Sequence, residues 1–265
     1  MQEQKHIIAS FDGLGIHGTY TPSKGNSFAQ VLLVHGITSE RDESGFYSRM
    51  AKAFSDSGIE SFRFEYRSHG ESTLLSEEMT LCGIVSDIKA SFEFMKSKSQ
   101  QEKLARFAVG TSFGGGLTAF WADNNKDAIN GLFLCAPVID YEDDIRRNTD
   151  NWRNQLLKGE QVLYAGAMTF GRGLMNEMPY INGKRALMHP VVPVHIFHGD
   201  KDNDVPLESS LAVEGNAGKV YVHKIAGVGH GFGAPGDDDF ETEQTAANHD
   251  AIYASMIKIM KDIAA

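Results

Sequence analysis

Phe107-Ala108-Val109-Gly110-Thr111-Ser112-Phe113-Gly114-Gly115-Gly116 is the stretch on which the reading of this chain turns. Phe107, Ala108 and Val109 suit a buried strand that leads into Gly110. Beyond the glycines, Leu117, Phe120 and Trp121 stand where a helix would turn them inward. Gly110-Thr111-Ser112-Phe113-Gly114 thus fits G-x-S-x-G at a point where a strand turns sharply into a helix. On such a turn a serine hydroxyl projects beyond the sheet edge. Glycines are expected on either side because a Cβ there would strike the neighbouring strand or helix. The first helical turn also sets partial positive charge beside any anion formed there. Short motifs recur by chance, so the plain alternative is a glycine-rich turn with an incidental serine. The strand before and the helix after favour a nucleophile.

A serine hydroxyl is a poor nucleophile until a base takes its proton, and histidine titrates near the working pH. Among ten histidines, His230 lies in Gly227-Val228-Gly229-His230-Gly231-Phe232, just after the expected strand 220–225. A glycine-flanked loop at a strand's end can carry an imidazole over the elbow. His195 falls within a strand, His35 and His198 end strands beside glycines, and His69 sits in a loop. Each of these is expected to pack or to hydrogen-bond, with His35 bracing its loop. The orienting carboxylate belongs between serine and histidine in chain order, and His198-Gly199-Asp200-Lys201-Asp202-Asn203-Asp204-Val205-Pro206 offers three. The expected oxyanion donors are the backbone amides of Phe113, which follows the serine, and Ile37, in the loop after the third strand.

Outward from the elbow, apolar runs and helical periods alternate. Residues 6–11 and 15–22, broken at Asp12-Gly13, read as an antiparallel hairpin. Val31-Leu32-Leu33-Val34 reads as a strand buried on both faces. Further strands are expected over 59–66, 132–136, 194–197 and 220–225. Helices are expected through Phe46–Phe54, Leu81–Met95 and about Ala246–Ile263. This alternation implies an α/β fold with a mostly parallel central sheet flanked by helices. Residues 1–137 and 189–265 form the expected core. Residues 138–188 break the rhythm and read as an inserted cap, since so long an interruption is usually functional.

The 265 residues suit one α/β domain, and 42% hydrophobic content is enough to cover both faces of a sheet. With 25 basic and 35 acidic residues the net charge is −10, which disfavours nucleic acid as a partner. Cys82 and Cys135 lie in apolar runs without metal or redox spacing and are expected to be buried, reduced thiols. The first ten residues are too weakly apolar for a signal peptide and no run approaches a membrane span, so a cytoplasmic protein without a membrane partner is expected. No metal constellation or dinucleotide fingerprint is present, so no cofactor and no metal are expected. Asp237-Asp238-Asp239 reads as a solvated charge run.

Taken together, His35-Gly36-Ile37-Thr38, Arg63-Phe64-Glu65-Tyr66-Arg67-Ser68-His69-Gly70-Glu71-Ser72, the elbow at Ser112, Asp202-x-x-Val205-Pro206 and Gly229-His230 resemble the serine esterases of the α/β-hydrolase superfamily. Order and intervals are similar to bacterial cinnamoyl and feruloyl esterases and related carboxylesterases over residues 6–137 and 189–263. The resemblance implies an α/β-hydrolase fold and a Ser112–Asp202–His230 triad. It favours Asp202 over Asp200 and Asp204, for which a solvated turn is a fair reading. The sequence departs from many such esterases at Thr111 and Phe113, where they carry His before the serine and Gln or Met after it. The implied activity is cleavage of an acyl or aryl ester through an acyl-serine, with Trp152, Tyr164 and Phe170 of the cap lining the substrate pocket. The same triad serves an acyl thioester or a carbon–carbon bond, and a non-catalytic receptor on this fold is the third possibility. A serine at the elbow disfavours the aspartate-dependent dehalogenases and epoxide hydrolases. Oligomeric state is left open.

Overall fold

The computed structural model describes residues 3–99, 104–149, 151–237 and 239–265. The first strands, β1 (Gln4–Ala9) and β2 (Gly15–Thr21), pair as an antiparallel hairpin. β3 (Ala29–Val34), α1 (Phe46–Asp56), β4 (Ile59–Phe64), α2 (Leu81–Lys98), β5 (Ala105–Thr111), α3 (Ser112–Asn124) and β6 (Gly131–Cys135) then alternate. Between β6 and the next sheet strand lie α4 (Tyr141–Asn148), α5 (Trp152–Leu157), β7 (Val162–Tyr164), β8 (Met168–Phe170), α6 (Arg172–Glu177) and α7 (Gly183–Ala186). β9 (Val194–Gly199), α8 (Leu207–Leu211), β10 (Val220–Ile225) and α9 (Glu243–Ala264) complete the chain.

The main sheet runs β1-β2-β4-β3-β5-β6-β9-β10. β2 joins β4 antiparallel, and every pairing from β4 to β10 is parallel. Strand order reverses at β3, whose neighbours β4 and β5 lie on opposite sides. In open α/β sheets the crevice beyond such a reversal, at the carboxyl ends of the strands, is the natural ligand site. Gly36 and Ser112 both lie there, just past β3 and β5.

Buried strands explain the continuous apolar runs. On β3, Leu32 and Val34 join Ile84, Ile88 and Leu117 of α2 and α3, whereas Val31 and Leu33 join Met50, Phe54 and Met256 of α1 and α9. Each fully buried Leu or Val contributes about 1.5–3 kcal/mol relative to exposure. The Thr80 hydroxyl caps α2 by accepting the Gly83 amide at 3.0 Å. Asp237 organises the entry to α9, accepting the Glu241 and Thr242 amides at 3.0 Å each. This acidic residue is thus engaged rather than merely solvated, while Asp238 lies outside the described residues.

Residues 138–188 carry more regular structure than their polar start suggests. Ile145, Val162, Phe170 and Leu174 share the core of α2 and α3. The Cys82 amide donates to Glu177 Oε2 at 2.8 Å. At the far end, α7 lies against α3, where a Cβ on Gly183 would come within 2.8 Å of Gly116 Cα. Cys135 is buried, but Cys82 is exposed. Its apolar neighbours misled the expectation, because Leu81, Ile84 and Ile88 face the core and Cys82 falls off that stripe. Among the described residues no helix is long and apolar enough to cross a membrane.

Candidate active site

Ser112 opens α3 with φ at +49°, a left-handed backbone that a non-glycine residue holds at a cost of about 1–3 kcal/mol. Close packing accounts for the flanking glycines. A Cβ on Gly110 would meet Thr118 Oγ1 at 2.7 Å, and one on Gly114 would meet the His35 carbonyl oxygen at 2.1 Å. The turn is held from both sides, by the Val138 amide donating to the Ser112 carbonyl at 2.8 Å and the Tyr141 hydroxyl donating to the Phe113 carbonyl at 2.6 Å.

The loops after β9 and β10 bring Asp202 and His230 to this turn. His230 Nε2 lies 2.9 Å from Ser112 Oγ, and His230 Nδ1 lies 2.8 Å from Asp202 Oδ2. A carboxylate only accepts, so Nδ1 carries the proton and the Nε2 lone pair faces the hydroxyl. Asp202 Oδ1 accepts the Asp204 and Val205 amides at 2.9 Å each. His198 Nε2 lies 3.0 Å from the Val205 carbonyl and 3.2 Å from Asp202 Oδ2, and its Nδ1 pairs with Ser210 Oγ at 2.8 Å. Burial alone would push the Asp202 carboxyl up, but hydrogen bonds from His198 and His230 hold it below the usual carboxylate range. Burial likewise lowers the His230 pKa, yet the bond to Asp202 and the charges of Asp202, Asp204 and Glu43 raise it above the ordinary histidine value. The two other aspartates have different places. Asp200 accepts the Gly227 amide at 2.7 Å, and Asp204 is exposed beside the site.

Two buried imidazoles shape the loop after β3. His35 Nδ1 lies 2.7 Å from the Gly36 carbonyl, and its Nε2 accepts the Tyr66 amide at 3.4 Å. His69 Nδ1 lies 3.0 Å from the Arg67 carbonyl, and its Nε2 accepts the Thr38 amide at 3.3 Å. Both are therefore neutral Nδ1–H tautomers, in keeping with burial that pushes His35 well below its ordinary value and His69 down to about 4. Because a peptide is planar and trans, holding the Gly36 carbonyl toward His35 turns the Ile37 N–H the other way. The Ile37 and Phe113 amides have no acceptor among the described residues. Two donors left open in this way can receive a developing anion. His195 has no part here, since it pairs through Nδ1 with His223 Nε2 at 3.0 Å between β9 and β10.

A cavity of about 250 Å³ opens on Ser112 and His230. Its apolar walls include Ile37, Phe46, Phe232 and Phe240, and its charged or titratable ones include Glu43, Asp204 and His249. Trp152, Tyr164 and Phe170 do not line it, contrary to the expectation for the cap aromatics. Tyr164 and Phe170 are buried and stacked with centroids 4.7 Å apart, and the Tyr164 hydroxyl donates to buried Asp144 at 2.6 Å. Phe170 also packs on Phe113, at 6.0 Å between centroids, and Trp152 carries the Arg153 guanidinium over its ring at 4.4 Å. Tyr164 packs here because its hydroxyl finds buried Asp144 and its ring stacks on Phe170. Among the walls, Phe46 and Phe232 follow Gly36 and His230 closely in the sequence, a proximity that could have marked them. Phe240 comes in over Gly231 only through a left-handed turn at its own φ of +58°. From α9, His249 Nε2 lies 2.9 Å from the Gly231 carbonyl, and its Nδ1 accepts from Arg49 at 2.9 Å.

A family model for the serine aminopeptidases (S33) matches residues 25–165, just over half of the chain. The chain belongs to this family. The serine aminopeptidase match takes in β3, the elbow and the start of the segment after β6, and it ends before Asp202 and His230. Whole-chain likeness comes from solved structures. A protein from Agrobacterium vitis superposes with a TM-score of 0.78 at 20% identity, covering 96% of this chain and 99% of that one. Est1E from Butyrivibrio proteoclasticus gives 0.74 at 17%, covering 96% and 98%. The Pyrococcus furiosus esterase Pf2001 gives 0.71 at 17%, covering 100% and 93%. At such identities these likenesses show the fold, which is the α/β-hydrolase fold. No curated protein matches this sequence.

Proposed function

We propose that the chain is a serine hydrolase that cleaves a carboxylic ester through an acyl intermediate on Ser112. The observation that carries this reading is the unbroken hydrogen-bond chain from Asp202 through His230 to Ser112, beside two unpaired amides. In the reaction, Ser112 Oγ attacks the ester carbonyl carbon as His230 Nε2 takes its proton. The Ile37 and Phe113 amides receive the oxyanion. Collapse breaks the carbon–oxygen bond, and the imidazolium returns the proton to the departing alcohol. Water then attacks the acyl-Ser112 carbonyl, giving its proton to His230, and the acid leaves as Ser112 is restored. Asp202 fixes the tautomer throughout and stabilises the imidazolium.

The cavity is smaller than the roughly 300–1,000 Å³ of sites for drug-sized ligands, which favours a modest acyl or aryl group. A structure of Est1E holds ferulic acid, and an aryl acyl group of that kind is one candidate for the cavity walled by Ile37, Phe46, Phe232 and Phe240. Residues 138–188 serve on this reading as a cap that buttresses the elbow through Val138 and Tyr141 rather than as the pocket wall. A thioester or an activated carbon–carbon bond would use the same atoms. Comparing oxygen-ester and thioester turnover under identical conditions separates these substrates.

The test is labelling by a fluorophosphonate probe together with turnover of p-nitrophenyl esters of graded chain length. Labelling should map to Ser112, and Ser112→Ala should lower turnover by at least about a thousandfold. A wild-type protein that neither labels nor hydrolyses any ester, yet binds a ligand stoichiometrically, would make this a receptor instead.

A further inference from the structure

The loop between β3 and α1 holds a carboxyl that the proposed reaction does not use. Glu43 and Ser44 have φ values of +48° and +50°, followed by Gly45 at +86°, so three successive residues are left-handed. This winding turns the Glu43 side chain back to the start of its own loop, where Oε2 accepts the Gly36 amide at 2.7 Å. A Cβ on Gly36 would stand 3.1 Å from Ser112 Cβ and 3.3 Å from Glu43 Oε1, so the carboxyl lies on the same flank of Gly36 as the serine. Both residues line the cavity. The groups that feel Glu43 are Ser39 and Glu40 on its own loop, Tyr47 on α1, Tyr66 beyond β4, Cys135 at the end of β6, and His230.

We infer that Glu43 is a positioning residue, the third clamp on the oxyanion loop, which by holding the Gly36 amide keeps the Ile37 N–H aimed at the reacting carbonyl. The inference rests on the acyl-Ser112 reading. Around the Gly36–Ile37 peptide, His35 holds the carbonyl, His69 holds the following amide and Glu43 holds the preceding one. The Ile37 N–H is the group left open between them. With the Glu43 carboxyl gone, the first amide is free to turn toward water and the peptide loses one of its three anchors. The strained run at 43–45 has a purpose on this account, because without it the side chain would point away from Gly36.

Three substitutions separate a clamp from a charge. Glu43→Gln keeps an oxygen at the same reach, and it resembles the neutral carboxyl that burial, against the Gly36 bond and His230, favours by raising the pKa to about 7. Glu43→Asp keeps the charge but is one methylene too short, and Glu43→Ala removes both. Losing an oxyanion donor outright costs about 10²–10³ in kcat, so a slackened one should cost about ten- to a hundredfold. The clamp predicts that loss in kcat for p-nitrophenyl acetate, at nearly constant KM, in the Ala and Asp variants, with Gln returning most of it. If Ala does not fold, the Asp and Gln pair carries the comparison. Wild-type kcat in the Asp variant, or a Gln variant as slow as Asp, overturns the clamp while the acyl-Ser112 reading stands. Absence of Ser112 labelling in the wild-type protein overturns both.

Discussion

Replacing Asp202 with asparagine alters almost no shape and should nearly stop the proposed reaction. Oδ1 of Asp202 accepts two backbone amides, from Asp204 and Val205, at 2.9 Å each. An asparagine must keep its carbonyl oxygen there, since an NH2 group facing two N–H donors would leave all of them unpaired. Its NH2 group is therefore placed where Oδ2 now meets His230 Nδ1 at 2.8 Å. Nδ1 must then accept, which moves the imidazole proton to Nε2, 2.9 Å from Ser112 Oγ. The base has become a donor to the hydroxyl it should deprotonate. His198 can keep its Nε2 proton on the Val205 carbonyl at 3.0 Å while its Nδ1 accepts from the Ser210 hydroxyl, so the fold is expected to survive. In the serine-protease template the same tautomer error lowers kcat by about 10⁴, near 5 kcal/mol of barrier. The assay is kcat for p-nitrophenyl acetate with the rate of fluorophosphonate labelling, alongside urea unfolding. Because the Asp202 carboxyl is held below its usual range, its ionisation adds stability that is present above the unfolded carboxylate pKa and disappears as pH falls through the lower folded value. The stability gap between wild type and Asp202→Asn should therefore close in acid. A variant with native stability and less than about a tenfold loss of kcat would refute the tautomer argument.

Three further outcomes follow from individual contacts. Tyr164→Phe removes a hydroxyl from buried Asp144 and should destabilise the protein by about 1–3 kcal/mol in urea unfolding while leaving kcat close to wild type; a large kcat loss without a stability change would restore Tyr164 to the substrate site. Gly114→Ala drives a Cβ against the His35 carbonyl oxygen and should cost about 1–3 kcal/mol or more, seen as a lower urea midpoint, whereas an unchanged midpoint would mean that the elbow has room to yield. Asp204→Asn removes one of the negative charges that raise the His230 pKa, so His230 stays neutral to lower pH and the acidic limb of kcat/KM should move toward acid; an unmoved limb would show that Asp204 does not act on the base.

Much of the architecture was legible because strand and helix periods are local. The run at 31–34 sits in β3, and the period through Leu81–Met95 belongs to α2, which continues to Lys98. Of the elbow's flanking glycines, Gly110 is crowded locally by Thr118, whereas Gly114 is crowded across strands by the His35 carbonyl. Pocket walls were less legible. Trp152, Tyr164 and Phe170 offered large apolar surfaces, but a ring that stacks on another ring and a hydroxyl that finds a buried carboxylate are satisfied without any ligand. Cys82 shows the same limit on a smaller scale, since apolar neighbours in sequence do not say which side of a helix a residue occupies.

The sequence by itself determined the alternating strands and helices and a serine set on a strained strand-to-helix turn, because these depend on interactions among residues a few positions apart. Only the tertiary structure decided which of three aspartates meets His230, which amides stay unpaired, and that Glu43 folds back on Gly36. Those contacts join loops from different strands, with Ser112 and His230 separated by 118 positions. Such loops converge because parallel crossovers bring the carboxyl ends of β3, β5, β9 and β10 to one edge of the sheet, a geometry that no local period encodes.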